Sequence, residues 1–329
     1  VFMYVRKEAV LSSQIEGTQS SLQDLLAAEA QLFDRNLPRD VDEVLNYVRA
    51  MNHGLGRLPE LPVSVRLIRE IHAELMRGVR GGRLQPGELR TSQNWIGPAG
   101  CTLATATFVP PPHHAVPEGL GDLERFLHAH DALPPLVKIA LAHVQFETIH
   151  PFLDGNGRVG RLLITFLLTE RGVLHKPVLY LSHFFKQHRQ EYYECLQAVR
   201  DRGAWEDWLA FFLRGVIEVA AEAAETARRI LQLREQHRAA ITAQLGRAAG
   251  NGHKVLESLY DRPIVAVGDI RKLTGTTYQA ANSLVSRLVE LGVLSEMTGY
   301  ARNRRFRYAP YIALFNETGP GVVGAEAGT

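Results

Sequence analysis

The chain has 329 residues and carries 37 Lys and Arg against 35 Asp and Glu, a formal net charge of +2. This length favours about two domains, and the 46% apolar content is ordinary for a globular protein with hydrophobic cores. A near-neutral charge excludes a protein that is basic over its whole surface, although it permits one basic module. The two cysteines, Cys101 and Cys195, are too few for a disulfide framework and fit a reducing compartment.

The apolar runs are short, and none approaches the roughly 20 residues that a membrane-spanning helix needs. We therefore expect a cytoplasmic protein that makes no membrane contact. The chain begins at Val1 rather than at an initiator methionine, which is compatible with a fragment, so the lack of a signal peptide carries little weight.

Apolar residues recur mostly at helical spacing, which predicts a mainly α fold. Residues 1–80 are predicted to form an N-terminal helical region. Its expected helices are Tyr4–Glu16, which stops at Gly17, a second that starts with a capping box at Ser21, and then Val41–Met51 and Val63–Arg77.

Helical spacing breaks between Gly81 and Pro117, where Gly, Pro and Thr are frequent. Two short β-prone runs flank a Gly-Pro-Ala-Gly turn there, which predicts a β-hairpin at about 94–112. Helices resume at Leu120. The Ala-, Glu- and Arg-rich segment within 215–250 predicts a long connecting helix, which suits either an oligomerisation arm or packing on its own domain.

The segment from His150 to Arg161 has the sequence His-Pro-Phe-Leu-Asp-Gly-Asn-Gly-Arg-Val-Gly-Arg. It lies between predicted helices at 136–148 and 157–171, so its Gly-Asn-Gly falls at a helix N-terminus. Free backbone N–H groups and the helix dipole favour an anion there, and glycines let it approach closely. Arg158 and Arg161 are electrostatically disfavoured in a first turn unless such an anion binds, which predicts a polyphosphate site.

Asp154 and His150 extend this site chemically. Asp154 offers the oxygen ligand that Mg²⁺ prefers beside phosphates, and a neutral His150 imidazole suits removal of a proton from a hydroxyl. Taken alone, each residue has a plainer explanation, as a helix cap, a loop histidine or a surface ion pair. Their concentration in one short segment favours phosphoryl or nucleotidyl transfer.

This segment resembles the signature of the Fic family, His-x-Phe-x-(Asp/Glu)-Gly-Asn-(Gly/Lys)-Arg-x-x-Arg, and meets every fixed position. The resemblance implies a helical Fic core over 81–214 that transfers AMP from ATP to a Ser, Thr or Tyr hydroxyl of a protein. Gly157 stands where the kinase-like branch has Lys, which favours AMP transfer over phosphorylation.

The resemblance also assigns roles within the signature. His150 is the base for the target hydroxyl, Asp154 holds Mg²⁺, and Asn156 with nearby backbone N–H groups surrounds the α-phosphate. Arg158 and Arg161 hold the outer phosphates, with Arg161 on the γ-phosphate. The predicted ATP-binding residues of the signature are Asp154, Gly155, Asn156, Gly157, Arg158, Gly160 and Arg161.

Two further features are similar to those of the family. The hairpin resembles the family's flap, which aligns the target segment by strand pairing, and Phe108, Val109 and Pro110 would form the pairing strip. A purely structural hairpin is the alternative. Tyr192 and Tyr193 resemble a tyrosine pair that borders the adenine in relatives, although helical tyrosines also serve as core residues.

The segment Ser12–Gly17 matches the family's inhibitory motif, (Ser/Thr)-x-x-x-Glu-(Gly/Asn). In such proteins the glutamate pairs with the last arginine of the signature, here Arg161. A carboxylate at Arg161 takes the partner of the γ-phosphate and repels that phosphate, so ATP binds poorly or binds misaligned. Ser12 and Glu16 are therefore the predicted inhibitory residues.

A new series of predicted helices and strands begins near residue 251, and its order predicts a winged helix-turn-helix domain over 251–315. The expected elements are helices at 253–260, 267–273 and 276–291, followed by strands at 293–298 and 304–308. The predicted wing carries Arg302, Arg304, Arg305 and Arg307, which suits phosphate contact. Winged helices also mediate protein contacts, so DNA binding and homodimer formation both stay open. The tail, 316–329, is predicted to be disordered.

The leading hypothesis is an autoinhibited protein adenylyltransferase that uses ATP and Mg²⁺ and modifies another protein or itself. Two alternatives stay open: removal of AMP at the same site, with Glu16 positioning water, and a DNA-binding regulator whose Fic core senses nucleotide. A simple metallohydrolase built on His150 and Asp154 is disfavoured, because no third ligand appears at helical spacing.

Overall fold

A computed structural model describes residues 1–30, 38–79, 85–98, 100–130, 132–299 and 303–316. They are mainly helical, as the sequence predicts, with one small antiparallel sheet. The chain divides into two compact units, one holding residues 3–28 and 33–223 and the other holding the chain from Ala224 onward. Within the described ranges, no helix is both long and apolar enough to cross a membrane.

The first unit is built from helices and two single 3₁₀ turns. Its helices are α1 (Phe2–Ile15), α2 (Leu22–Glu29), α3 (Val41–Arg57), α4 (Val65–Leu75), α5 (Val116–His128), α6 (Pro135–Ile149), α7 (Asn156–Glu170), α8 (Ser182–Gln187), α9 (Arg189–Arg202) and the first part of α10 (Trp205–Leu245). The predicted helices are present, but α3 continues beyond Met51 and α10 starts well before the expected segment.

Helix α7 lies at the centre of this unit. Apolar side chains bury it on all sides, including Val159, Leu162 and Phe166, which is typical of a core helix rather than a surface one. Gly54 on α3 faces the Phe166 ring, and a methyl group at Gly54 would overlap that ring. This packing holds α7, whose first turns carry the end of the signature, against α3.

Helix α1 is anchored by a buried carboxyl group, Glu8. It accepts hydrogen bonds from Tyr47 Oη at 3.2 Å and from the backbone N–H of Ser182 at 3.2 Å. Burial raises the pKa of Glu8 to about 7, against the opposing effect of these hydrogen bonds. Glu8 therefore ties helix α1 to α3 and α8 one turn before Ser12, where the motif Ser12–Gly17 begins.

The predicted hairpin at 94–112 is only partly correct. Its two sides meet at one bridge, in which Ile96 and Phe108 exchange hydrogen bonds of 2.8 and 3.1 Å. A 3₁₀ turn, Leu103–Thr105, follows the expected turn. Regular strands do not extend from the bridge because Pro98 and the prolines at 110–112 lack the N–H that a ladder requires.

The second unit contains a three-stranded antiparallel sheet of order β1-β3-β2. Its elements are the rest of α10, α11 (Ala249–Leu259), β1 (Ile264–Ala266), α12 (Val267–Thr274), α13 (Tyr278–Glu290), β2 (Ser295–Glu296), β3 (Arg305–Arg307) and α14 (Ala309–Ala313). The sequence predicted two strands and missed β1, since three residues are too few to show alternation. Arg302 and the predicted tail from 317 lie outside the described residues.

Candidate active site

The loop between α6 and α7 is closed by the side chain of Asn156. Its Oδ1 accepts a hydrogen bond from the Phe152 N–H at 2.8 Å, and its Nδ2 donates to the Phe152 carbonyl at 2.7 Å. Gly155 takes a left-handed conformation, with φ +79°, immediately before α7 begins. The buried amide thus fixes the loop, while the backbone N–H groups of the first turn have no helical acceptors.

His150 ends α6 in a left-handed conformation, with φ +49°, which is uncommon for a residue with a side chain. Arg90 holds this conformation by donating from Nε to the His150 carbonyl at 2.9 Å. The His150 Nδ1 lies 3.4 Å from the Glu147 carbonyl, which can only accept, so Nδ1 carries the proton and Nε2 keeps a lone pair. Burial lowers the pKa of His150 to about 4, so the ring is neutral at pH 7.

His72 supports the other side of the loop, and no pattern in the sequence pointed to it. Its Nδ1 accepts from the Gly87 N–H at 2.8 Å, so Nε2 carries the proton and donates to the Asp154 carbonyl at 3.0 Å. Its ring stacks on Phe152 with centroids 3.7 Å apart. Burial lowers the pKa of His72 to about 4, which keeps this neutral form in place.

Asp154 presents a carboxylate at the mouth of the loop. Its Oδ1 accepts from the Gly155 N–H at 2.6 Å, and the side chain remains well exposed. Within the described part of the chain, no three His, Cys, Asp or Glu side chains cluster as a metal site. One carboxylate nevertheless fits Mg²⁺, which is usually held by one or two carboxylates together with substrate phosphates.

The two signature arginines differ in their surroundings. Arg158 is buried and donates from Nη1 to Glu43 on α3 at 2.9 Å, and its Nη2 lies 3.7 Å from the sulfur of Met76. This contact ties α7 to α3. Arg158 therefore adds positive charge near the loop while its two terminal nitrogens contact protein groups and its buried Nε has no partner among the described residues.

Arg161 meets both residues of the N-terminal motif. It donates from Nε to Ser12 Oγ at 2.8 Å, and from Nη2 to the Ser12 carbonyl at 3.0 Å and to Glu16 Oε1 at 2.6 Å. Burial opposes ionisation of Glu16, but the Arg161 charge outweighs it and lowers the Glu16 pKa. A methyl group at Gly157 would overlap the Glu16 carboxylate, so this glycine leaves room for the contact.

The two adjacent tyrosines, Tyr192 and Tyr193, differ in their burial. Tyr192 is 1% exposed, and its hydroxyl lies 2.8 Å from His143 Nε2, so it packs in the core. Tyr193 is 39% exposed and is the one whose ring can face a ligand. The nearby His143 donates from Nδ1 to the Gly160 carbonyl, with the two atoms 3.0 Å apart.

The flap residues also divide. The Arg200 guanidinium lies over the Phe108 ring, with its central carbon 3.9 Å from the ring centroid. The Phe108 backbone is paired with Ile96. Val109 is 45% exposed, and within the described ranges its N–H has no hydrogen-bond acceptor. The Pro110 carbonyl accepts from Gln93 at 2.9 Å. Of the three residues predicted as the pairing strip, Val109 offers the free backbone donor.

Comparison with known proteins finds two matches to family models. Residues 62–168 match the model of the Fic/DOC family, and residues 1–56 match that of the Fic/DOC family N-terminal region. The chain is 29% identical over 194 residues to "Protein adenylyltransferase Fic" of Drosophila grimshawi, covering 56% of this chain and 34% of that protein. The counterpart in Drosophila melanogaster is 28% identical over 194 residues. The chain thus spans about a third of the length of these curated relatives.

Solved structures give the same fold. A Fic family protein from Desulfovibrio desulfuricans G20 matches with a TM-score of 0.61 and 20% identity, covering 93% of this chain and 86% of that one. A Fic domain-containing signaling protein from Bacteroides thetaiotaomicron matches with a TM-score of 0.54 and 20% identity, covering 67% of this chain and 85% of that one. The chain is therefore similar to the Fic/DOC family over residues 62–168 and to the family's N-terminal region over residues 1–56.

Proposed function

We propose that this protein is an autoinhibited adenylyltransferase that transfers AMP from ATP to a hydroxyl of a protein. One observation carries the proposal: Glu16 pairs at 2.6 Å with Arg161 of α7, the helix that begins six residues after the neutral His150. The curated relatives are named protein adenylyltransferases, which supports the reaction class. The inhibitory part rests on the geometry of the motif.

In the proposed reaction the triphosphate lies against the first turn of α7. The free N–H groups there and the Arg161 charge stabilise its negative charge. His150 Nε2 takes the proton of the target hydroxyl as its oxygen attacks the α-phosphorus. The new bond forms between the target oxygen and AMP, and the bond to the β-phosphate breaks, so pyrophosphate leaves.

Asp154 would hold Mg²⁺ together with phosphate oxygens. Bound there, the metal ion would neutralise charge on the phosphates and help to orient them. Asp154 itself is oriented by its hydrogen bond from the Gly155 N–H and by the His72 contact to its carbonyl.

Glu16 would inhibit the reaction by its negative charge and by occupying Arg161. A phosphate that approaches Arg161 meets a carboxylate already hydrogen-bonded to it, and the two anions repel. Ser12 holds Arg161 through two further contacts, so removal of Glu16 leaves the arginine positioned. Loss of Glu16 is therefore expected to release the site rather than to disorder it.

The flap would align the target chain by backbone pairing. The free N–H of Val109 suits the addition of an extended segment at this edge. The exposed Tyr193 ring would border the adenine, because it lies on α9 beside the buried Tyr192.

The test of this function uses the Glu16→Gly variant with α-labelled ATP and cell lysate. We expect labelling of the protein itself or of a target to be about tenfold or more above that of the parent, because the competing carboxylate is gone. The matched control is Glu60→Gly, which removes an exposed acid that pairs with Arg57. Labelling of Glu16→Gly no stronger than that of the control would refute the proposal.

A second function is suggested for the C-terminal unit by its own elements. The order α11-β1-α12-α13-β2-β3 suits a winged helix, and Tyr278 at the start of α13 is exposed. Of the wing arginines, Arg304 is paired with Glu296 at 2.5 Å, which leaves fewer cations for phosphate contact. Duplex DNA binding that weakens steeply with salt would support a DNA-binding role, and salt-independent or absent binding would exclude it.

A further inference from the structure

The buried side chain of Arg90 joins the flap to the residue proposed as the base. Its Nε donates to the His150 carbonyl at 2.9 Å, and its Nη2 donates to the Ile149 carbonyl at 3.3 Å. The same guanidinium donates from Nη1 to the Ser92 carbonyl at 3.3 Å and from Nη2 to the Pro111 carbonyl at 2.5 Å. Ser92 leads into one side of the flap and Pro111 leaves the other, so Arg90 holds both sides of the flap at the end of α6.

The four acceptors explain why a charged side chain is buried here. Helix α6 ends at Ile149, and His150 turns out of it in a left-handed conformation, so their carbonyls have no helical donors. The negative end of the helix dipole favours a cation at this position. Burial lowers the pKa of Arg90, and within the described ranges its guanidinium donates only to backbone carbonyls. A guanidinium has five donors spread over three nitrogens, whereas a lysine has three on one nitrogen, so lysine cannot replace these contacts.

Two other side chains connect the flap with the same turn. The Arg200 guanidinium lies over the Phe108 ring and donates to the Glu147 carbonyl at 3.0 Å, the carbonyl that also faces His150 Nδ1. Asn94 Nδ2 lies 3.5 Å from the His150 carbonyl. Among the described residues, two side chains therefore reach that carbonyl, and Arg90 makes the shorter contact.

We propose that Arg90 is a positioning residue: it fixes the distance between the flap and the His150 imidazole, so that a target segment docked on the flap presents its hydroxyl to Nε2. This inference rests on the proposed function, because it takes the flap as the docking edge and His150 as the base. Arg90 acts through the backbone of both parts and contacts neither of the reacting groups. A displacement of about 1 Å between reacting groups costs about 100-fold in rate.

An acceptor that needs no docking separates this role from simple support of His150. When water attacks the α-phosphorus of ATP, its proton goes to His150 Nε2, the bond to the β-phosphate breaks, and AMP and pyrophosphate are released. This reaction uses the base but not the flap. Loss of the link through Arg90 should therefore slow transfer to a docked protein much more than it slows attack by water.

The test compares these two acceptors in the Glu16→Gly protein at saturating ATP. Labelled protein formed from α-labelled ATP and cell lysate measures the first reaction, and labelled AMP released without lysate measures the second. Arg90→Lys is expected to lower protein labelling about 10- to 100-fold and AMP release by no more than about threefold. The KM for ATP should stay unchanged. The matched control is Arg125→Lys, the same substitution at an exposed position of α5, which should leave both rates at the parent level.

Backbone hydrogen exchange adds a direct readout of the link. In Arg90→Lys the amides of Ile96 and Phe108, which form the bridge of the flap, should exchange faster than in Arg125→Lys. Arg90→Gln is a second variant that removes the buried charge, and it should show the same unequal loss of the two rates even if Arg90→Lys does not fold. Flap amides as protected as those of the control would overturn the inference.

The two rates also separate this inference from the proposed function. Equal loss of protein labelling and AMP release, or unchanged protein labelling, sinks the role of Arg90 alone, because the parent still transfers AMP. Absence of protein labelling by the Glu16→Gly parent, although it binds ATP, sinks the proposed function and this inference with it.

Discussion

The signature loop and the flap lie on either side of His150, and they are built in opposite ways. The loop is closed by the two hydrogen bonds of the buried Asn156 and braced by His72 and Arg90. The flap is joined at one bridge, between Ile96 and Phe108, and exposes Val109. The part proposed for phosphate chemistry is thus held by many buried contacts, and the part proposed for target docking is held by few.

The difference follows from what each part must recognise. A phosphate group has one shape, so donors that are fixed in advance cost no reorganisation when it binds. A peptide backbone can be recognised by any edge with a free N–H and C=O, whatever its side chains. A rigid loop therefore suits the binding of one nucleotide. A flap with a free backbone donor suits a target that is recognised by its backbone.

The largest expected effect is at the loop. His150→Ala in the Glu16→Gly background should lower AMP transfer by about 10²- to 10⁴-fold, because the target hydroxyl loses its base. ATP affinity, measured by calorimetry, should change little. The control is His175→Ala, which alters an exposed histidine away from the loop. Similar transfer rates in the two variants would contradict the assignment of the base.

An intermediate effect is expected at the flap. Val109→Pro in the Glu16→Gly background removes the free N–H, and it should lower kcat/KM for the protein target about tenfold with unchanged ATP affinity. Val109→Ala keeps the N–H and should behave like its parent. If Val109→Ala falls as far as Val109→Pro, the side chain rather than the backbone recognises the target.

The smallest expected effect concerns pH. The folded-state pKa of His150 is about 4, below the usual 6.5, so between these values the unfolded chain binds a proton that the folded chain does not. Protonation of His150 in the unfolded chain therefore lowers the stability of the folded protein as the pH falls from 6.5 to 4. Urea unfolding of His150→Ala should depend less on pH in this window, by up to about 1.4 kcal/mol per pH unit. Val109→Ala removes no titratable group, and an equal change in its slope would refute the explanation.

Several features of the site were visible in the sequence because they are local. The signature from His150 to Arg161 and the motif around Glu16 are short runs with fixed spacing, and helix periodicity placed both at helix ends. The winged-helix prediction likewise rests on the order of elements. Strand β1 was missed, because three residues leave no periodic pattern, and the hairpin was predicted with more pairing than the single Ile96–Phe108 bridge that the structure has.

Other features depend on residues far apart in the chain. Glu43 and Arg158 are separated by 115 positions, and His72 and Asp154 by 82, so no spacing rule could join them. Tyr192 and Tyr193 are adjacent and of one type, yet their burial differs completely. Glu147 could have been noticed as an acid one helical turn before His150, but its lack of a partner appears only in three dimensions.

The sequence by itself determined that this chain has a helix start suited to phosphate, a histidine beside it and an acidic motif near the N-terminus. Only the tertiary structure decided that Arg158 faces Glu43, and that Oε1 of Glu147 lies unpaired against Gly160. The physical reason is that backbone chemistry is set by local order along the chain. The partner of a buried charge is set by which helices pack together.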